Sequence, residues 1–332
     1  MRSSIRRYSL SFLIAFSLLI GIMPAVSAAT PAAVGGNGLR VSPVRTDLII
    51  NPGETKIVNI NVTNVTSAPG TFQTVVNDFV ADPNESGNPS IIFDPNSYAP
   101  SHSLKRFVGP VTKFTLAAGQ QKSLPITIVV PKNAAGGGYY GAIRFAPAPS
   151  NTSSKQSVNL AGSVGSLILV KVPGNIIDHL SIASFDVRTR DRVSSFFTSN
   201  KNIDVTVRFQ NQGNIQEEPF GKVLLKDRSG KIINSFEINS SDPPGNVLPD
   251  SIRKFSVPVN KVGKFGEFKL EGNFGYGATG QLLSGSTTFY VIPAWMIIVF
   301  FGIVALLAFV IFAVPRLIRA YNRRVLRRAG RR

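Results

Sequence analysis

Few side chains in this 332-residue sequence could do chemistry. There are two histidines, His102 and His179, and no cysteine. Without thiols there is no thiolate nucleophile, no cysteine-ligated metal and no disulfide. Two isolated histidines build neither a His-x-x-x-His metal pair nor a zinc finger. His102 sits in APSHSLKRF with serines beside it, but no acidic orienter or nucleophile elbow accompanies it, so it reads as a loop histidine. Asp78, Asp82 and Glu85 cluster in a strand and the loop after it. A glycoside-cleaving carboxylate pair is defined by a separation in space that sequence does not give, and acids also gather in ordinary turns. The inventory reads as that of a binding protein rather than an enzyme, and no cofactor or metal is expected.

The segment GGGYYG, Gly136 to Gly141, has the glycines of a phosphate loop but lacks the following Lys-Ser/Thr and opens no helix. Its glycines suit a turn and a close approach of two backbones at the head of a strand. Along that strand Tyr139, Gly141, Ile143 and Phe145 share one face, and Tyr140, Ala142 and Arg144 the other. A surface Tyr beside an Arg can recognise a ligand, so Tyr139, Tyr140 and Arg144 are the candidate patch.

The elements that would position this patch are strands. In NIDVTVRFQN, Ile203, Val205, Val207 and Phe209 alternate with polar residues, the mark of a half-buried strand. The pattern recurs at Val58, Ile60 and Val62, at Leu124, Ile126, Ile128 and Val130, at Phe255, Val257 and Val259, and at Phe268, Leu270, Phe274 and Tyr276. Turn signals NPGE, SAPG, DRSG and DPPG punctuate the runs. Short alternating strands between Gly, Pro and Asn turns predict an all-β body of antiparallel sheets. An internal repeat divides it. ETKIVNINVTNVTSAPG and NKNIDVTVRFQNQGNIQ each run a strand into an Asn and a small-residue turn. The expectation is two tandem immunoglobulin-like antiparallel β-sandwiches, residues 38–174 and 175–291.

The two ends read differently. Residues 1–29 have a basic start, an apolar run and small residues at Ser27, Ala28 and Ala29, the layout of a secretory signal peptide. Trp295 to Val314 carries no charge and as a helix covers roughly 30 Å, the thickness of a bilayer core. Residues 292–315 are therefore expected to form one transmembrane helix. Tyr290 and Trp295 fall where an aromatic belt meets headgroups. Residues 316–332 hold eight arginines, among them Arg316, Arg319, Arg323, Arg324, Arg327 and Arg328, and no acid. Such a cluster stays cytoplasmic by the positive-inside bias, which places the β body outside the cell. The formal charge is +18; removing the tail's eight arginines and Arg2, Arg6 and Arg7 leaves +7 for the long middle. That mild excess gives no footprint for nucleic acid. The lipid bilayer is the first expected partner.

The layout resembles the WxL-interacting proteins of Gram-positive cell surfaces. The residues that carry the likeness are DLIINPGETKIVNINVTN, the glycine-led strand GGGYYGAIRFAP, and SVGSLILVKVPG. The resemblance implies a single-pass cell-membrane adaptor whose first domain contacts peptidoglycan, a cell-wall polymer, and whose second engages a surface protein. The alternative expectation is an accessory or assembly subunit of a membrane complex, with the Arg-rich tail as its cytoplasmic contact.

Overall fold

A computed structural model describes residues 38–148 and 162–329, with side chains up to Asn322. The segment expected to be a signal peptide, and the side chains of Arg323, Arg324, Arg327 and Arg328, lie outside the described residues.

In chain order the first half holds β1 (Leu39–Ser42), β2 (Arg45–Ile49), β3 (Thr55–Asn64), β4 (Gly70–Ala81), β5 (Pro89–Ile91), β6 (Lys113–Leu116), β7 (Gln121–Val129), β8 (Gly137–Pro147) and β9 (Val164–Val172). The second half holds β10 (Leu180–Thr189), β11 (Arg192–Val193), β12 (Phe196–Phe197), β13 (Asp204–Asn211), β14 (Phe220–Asp227), β15 (Ile232–Ile238), β16 (Ser251–Pro258), β17 (Gly266–Tyr276) and β18 (Gln281–Val291). In the first half a sheet ordered β1-β3-β7 faces one ordered β2-β9-β8-β4-β5, with β6 also on β4. In the second, β11-β10-β13-β16 faces β12-β18-β17-β14-β15.

Each pair of sheets closes on its own apolar core. Ile60 and Val62 of β3 and Ile126 and Ile128 of β7 meet Ile143 and Phe145 of β8 and Ile168 and Val170 of β9. Val205, Val207 and Phe209 of β13 meet Leu225 of β14, Phe268, Leu270 and Phe274 of β17 and Phe289 of β18. Burying each such side chain stabilises the fold by roughly 1.5–3 kcal/mol. The alternation in the sequence is thus the inward edge of each strand.

The repeated Asn also has a structural role. Asn64 and Asn211 end β3 and β13 and are fully buried. Asn64 Nδ2 donates to the Ala68 carbonyl at 2.8 Å and its Oδ1 accepts from Thr66 N at 3.0 Å. Asn211 Nδ2 donates to the Ile215 carbonyl at 2.7 Å and its Oδ1 accepts from Gly213 N at 2.8 Å. In both halves one buried side chain satisfies backbone groups of the turn that follows, an exposed turn after Asn64 and a partly buried one after Asn211.

Pairing is not antiparallel throughout. β2 runs parallel to β9, and β12 parallel to β18. A parallel neighbour needs a long crossover. Both pairs have one, because each joins strands separated by most of their half of the chain.

After β18 only Ile292 and Pro293 precede helix α1 (Ala294–Ala329). Among the described residues one helix is long and apolar enough to cross a membrane, over Ala294–Asn322, and none of its most apolar stretch is buried in the protein. The helix does not stop at Pro315 but runs through it. Proline removes one backbone donor from the turn, and next to it Arg316 Nη1 donates to the Phe312 carbonyl at 2.8 Å.

Candidate functional site

The strand β8 carries the patch anticipated from sequence, and the structure divides it. Tyr139 faces the first core, half-buried, its ring 4.6 Å from that of Phe107 and its hydroxyl donating to the Ala135 carbonyl at 2.9 Å. Tyr140 points the other way, as alternation requires, but that face is covered rather than solvated. Tyr140 is 2% exposed and packs with Phe79, Ala142 and Leu169. Arg144 lies on the same face farther along, its guanidinium 4.7 Å from the Phe93 ring. The three residues therefore form no single exposed patch, and the expectation of a surface Tyr140 is corrected. Its outer face is sealed by the loop carrying His102 and by the second half of the chain.

That seal is a junction between the halves, built largely on glycine. Gly138 N donates to the Asn214 carbonyl at 2.7 Å, and Asn214 Nδ2 returns a bond to the Gly136 carbonyl at 3.0 Å. A Cβ on Gly138 would stand 1.9 Å from the Tyr140 hydroxyl. The absent side chain lets that hydroxyl donate to Gln216 Oε1 at 2.9 Å. On the other side of the ring, His102 Nδ1 lies 2.6 Å from the Gly138 carbonyl, which gives the histidine a structural task. Farther out, Arg208 Nε donates to Glu85 Oε2 at 2.6 Å.

Beside the junction opens a cavity of about 250 Å³ whose lining includes Arg45, Leu167, Leu169, Pro243, Leu248 and Arg253. A wider groove of about 560 Å³ shares Phe79, Leu248 and Ile252 with it and reaches His102 and Tyr140. The two arginines in the cavity differ. Arg45 is neutralised: its Nη2 donates to Asp47 Oδ1 at 2.9 Å and to Glu218 Oε1 at 2.5 Å. Arg253 has no carboxylate partner among the described residues. Its Nη1 donates to the Asn246 carbonyl at 2.7 Å, its guanidinium rests 4.9 Å from the Phe255 ring, and its Nε is buried with no partner. Burial, and then the neighbouring positive charge of Arg45, push its pKa below the ordinary arginine range. Glycines flank it: a Cβ on Gly87 would fall 2.1 Å from Arg253 Nε, and one on Gly245 2.6 Å from Nη2. The result is a half-buried cation over an apolar floor, an arrangement that favours an anionic group on a largely apolar ligand.

At the rim of the junction Glu217 is buried and its Oε1 has no hydrogen-bond partner, as is also true of Asp178 Oδ1. Burial first, and the Asp178 carboxylate second, push the Glu217 carboxyl up to about 8.

The remaining carboxylates singled out by sequence organise loops. Asp78, fully buried, accepts from Ala99 N at 3.0 Å, Ser103 Oγ at 2.6 Å and Lys105 N at 2.9 Å. Asp82 accepts from Asn84 N at 3.0 Å and Ser86 Oγ at 2.5 Å, which holds its own pKa down. His179 lies elsewhere, its carbonyl accepting from Gln212 N at 2.9 Å. Sequence reasoning did not single out Arg45, Arg253 or Glu217. Arg253 sits in a strand otherwise read from Phe255 and Val257, and nothing local marks it as unpaired.

At the opposite end of the second half, Tyr290, the penultimate residue of β18, is half-buried and stacked on Phe196 with ring centres 5.2 Å apart. Trp295 is exposed in the first turn of α1, and Arg316 and Arg319 are exposed beyond Pro315. One helix thus carries the aromatic and the basic flanks.

No family model matches the chain, and no curated protein matches it in sequence. Solved structures do. The class 5 fimbriae chaperone CfaA is 14% identical, with 77% of this chain and 99% of that one covered and a TM-score of 0.35. The E. coli chaperone DraB is 16% identical, with 76% and 96% covered and a TM-score of 0.34. The CsuC–CsuE chaperone–tip adhesion subunit complex of Acinetobacter baumannii gives 15% identity, 74% and 97% coverage, and a TM-score of 0.35. At this level of likeness neither the ligands nor the partners of those proteins carry over.

Proposed function

We propose that this chain is a membrane-anchored, extracytoplasmic binding protein of the cell envelope. Its body is two tandem immunoglobulin-like sandwiches, and its basic tail lies in the cytoplasm. It acts as an adaptor and not as an enzyme. The observation that carries this reading is the junction of β18 and α1, where two residues separate a strand of the β body from a helix of membrane length. Such a connection fastens the body to the bilayer surface.

The binding element is the cleft between the halves. Its apolar floor and the unpaired guanidinium of Arg253 suit an acidic group borne by a wall polymer or by a surface protein. The resemblance to WxL-interacting proteins supports the same assignment, with peptidoglycan on the first sandwich and a protein partner on the second.

The test uses the full chain in nanodiscs, presented to isolated wall fragments and to purified secreted surface proteins. Retention at low salt that falls at least tenfold in Arg253→Gln is expected. Undiminished retention by that variant excludes the cleft, and absence of any retention excludes the adaptor role. Because the natural chain has no cysteine, a single cysteine placed beyond Asn322 reports orientation in intact cells. Labelling of that site by an impermeant reagent would reverse the topology.

A further inference from the structure

Strand register places an unusual set of side chains around the start of α1. Phe196 pairs with Tyr290, and Gly266 with Val291. Phe196 and Phe265 therefore stand level with the last residues of β18, within a few residues of the helix. Both are largely bare, Phe196 at 65% and Phe265 at 66% exposure, and Trp295 is similar at 62%. Monomeric soluble surfaces seldom cluster exposed aromatics in this way.

The loops at this end are also cationic. β14 and β15 are joined here, since Asp227 pairs with Phe268 near the start of β17. The loop from β16 to β17 arrives here, and Asn200 Nδ2 bonds its Val262 carbonyl at 2.9 Å. The turn after β10 belongs to the same end, because Arg188 pairs with Asp204 and Asp204 with Pro258. These loops and the short β11 expose Arg190, Arg192, Lys201, Arg228, Lys231, Lys261 and Lys264, against the exposed Asp191 and the half-buried Asp204, Asp227 and Glu267. None of the seven is in a salt bridge among the described residues. Between them and the helix lies a hollow of about 570 Å³ lined by Arg228, Phe265, Tyr290, Ile292 and Met296, among others.

We propose that this end of the second half is a lipid-docking face, with Phe196 and Phe265 entering the headgroup layer beside Trp295 and the surrounding cations meeting anionic lipid phosphates. The proposal rests on α1 spanning a bilayer and adds that the β body sits on that bilayer. Continuity with the helix selects lipid over a protein partner: aromatics one strand-end away from a spanning segment are already at headgroup depth. The loop cations add the attraction expected of a basic surface for anionic lipid.

Single nitroxides at Phe196→Cys, Phe265→Cys, Leu282→Cys and Phe309→Cys in the full chain test this in two kinds of nanodisc, phosphatidylcholine alone and phosphatidylcholine with phosphatidylglycerol. Leu282 lies at the far end of β18, roughly 30 Å along the strand, and reports water; Phe309 lies within α1 and reports hydrocarbon. Labels at 196 and 265 should be at least fivefold less accessible to a water-soluble nickel relaxant than the label at 282. The protection should deepen with phosphatidylglycerol, and Lys261→Glu combined with Lys264→Glu should remove that deepening. Labels at 196 and 265 as accessible as at 282 in both lipids, with 309 still shielded, would overturn the docking face. A label at 309 open to nickel would instead overturn the membrane reading beneath it.

Discussion

Arg208 of β13 and Glu85 of the β4–β5 hairpin form a two-pronged ion pair between the halves of the chain, with Nε to Oε2 at 2.6 Å and Nη2 to Oε1 completing the fork. The carbonyl of Glu85 also accepts from Lys254 N at 3.0 Å. One acidic residue at a loop tip thus engages two strands of the other half.

Loss of that pair should loosen the junction. Glu85→Gln and Arg208→Gln should each cost on the order of 1 kcal/mol, with a double-mutant cycle showing that the losses are not additive. The Arg208 hydrogen bond holds the Glu85 carboxyl below its ordinary range. The folded state then favours the charged form, so this stabilisation is complete above the unfolded carboxyl pKa, about 4.3, and is lost as pH falls through the lowered folded value. Thermal unfolding from pH 7 to 2 should show a shallower acid loss in Glu85→Gln than in the natural chain. Equal slopes would show that the pair contributes nothing.

Glu217 titrates with the opposite sign. Its carboxyl is raised to about 8 by burial and by Asp178. Between the unfolded carboxyl range and about 8 the folded state holds more protons than the unfolded state, so stability should decline as pH rises across that window and level off above it. Glu217→Gln keeps a neutral side chain and should flatten the decline. Melting temperatures at pH 5, 6.5 and 8 for both proteins measure it, and a parallel decline in the variant would remove Glu217 as the cause.

The Tyr140 ring should report the junction directly. Tyr140→Phe removes the bond to Gln216 and is expected to cost about 1 kcal/mol. Gly138→Ala drives a methyl into the same hydroxyl and should cost about 1–3 kcal/mol by overpacking. Gly138→Ala combined with Tyr140→Phe should recover part of that loss, because the clashing oxygen is gone. Chemical denaturation of the three variants distinguishes this from a general intolerance of Ala at 138, for which no recovery would be seen.

What was legible in the sequence followed the range of the forces involved. Ile203, Val205, Val207 and Phe209 alternate because one strand has one inward face, and a two-residue period is local information. The Asn that closes β3 and β13 was visible as a repeat because part of its clamp is local, within four residues, whereas its bonds to the Ala117 and Val247 carbonyls were not. The membrane-length helix was visible because its apolar run is contiguous, and the helix continues through Pro315. Tyr140 was misread as exposed because Gln216, from the other half of the chain, covers it. Arg253 carries no local mark, because the surroundings that leave it without a carboxylate come from residues as distant in sequence as Arg45 and Gly87. Periodicity sees a strand's neighbours along the chain, whereas a cleft is assembled from residues that folding alone makes adjacent.

The two residues between β18 and α1 allow the body almost no slack. Glu217 and the cleft lie near the hairpin end of β17 and β18, where Gly277 approaches Asp178, so one strand length, roughly 35 Å, separates them from the start of α1. With α1 in a bilayer, as proposed, the height of the cleft above that bilayer is set by the span of a β-strand. In the proposed adaptor role a ligand would have to come down to that level, since only Ile292 and Pro293 join the β body to the helix.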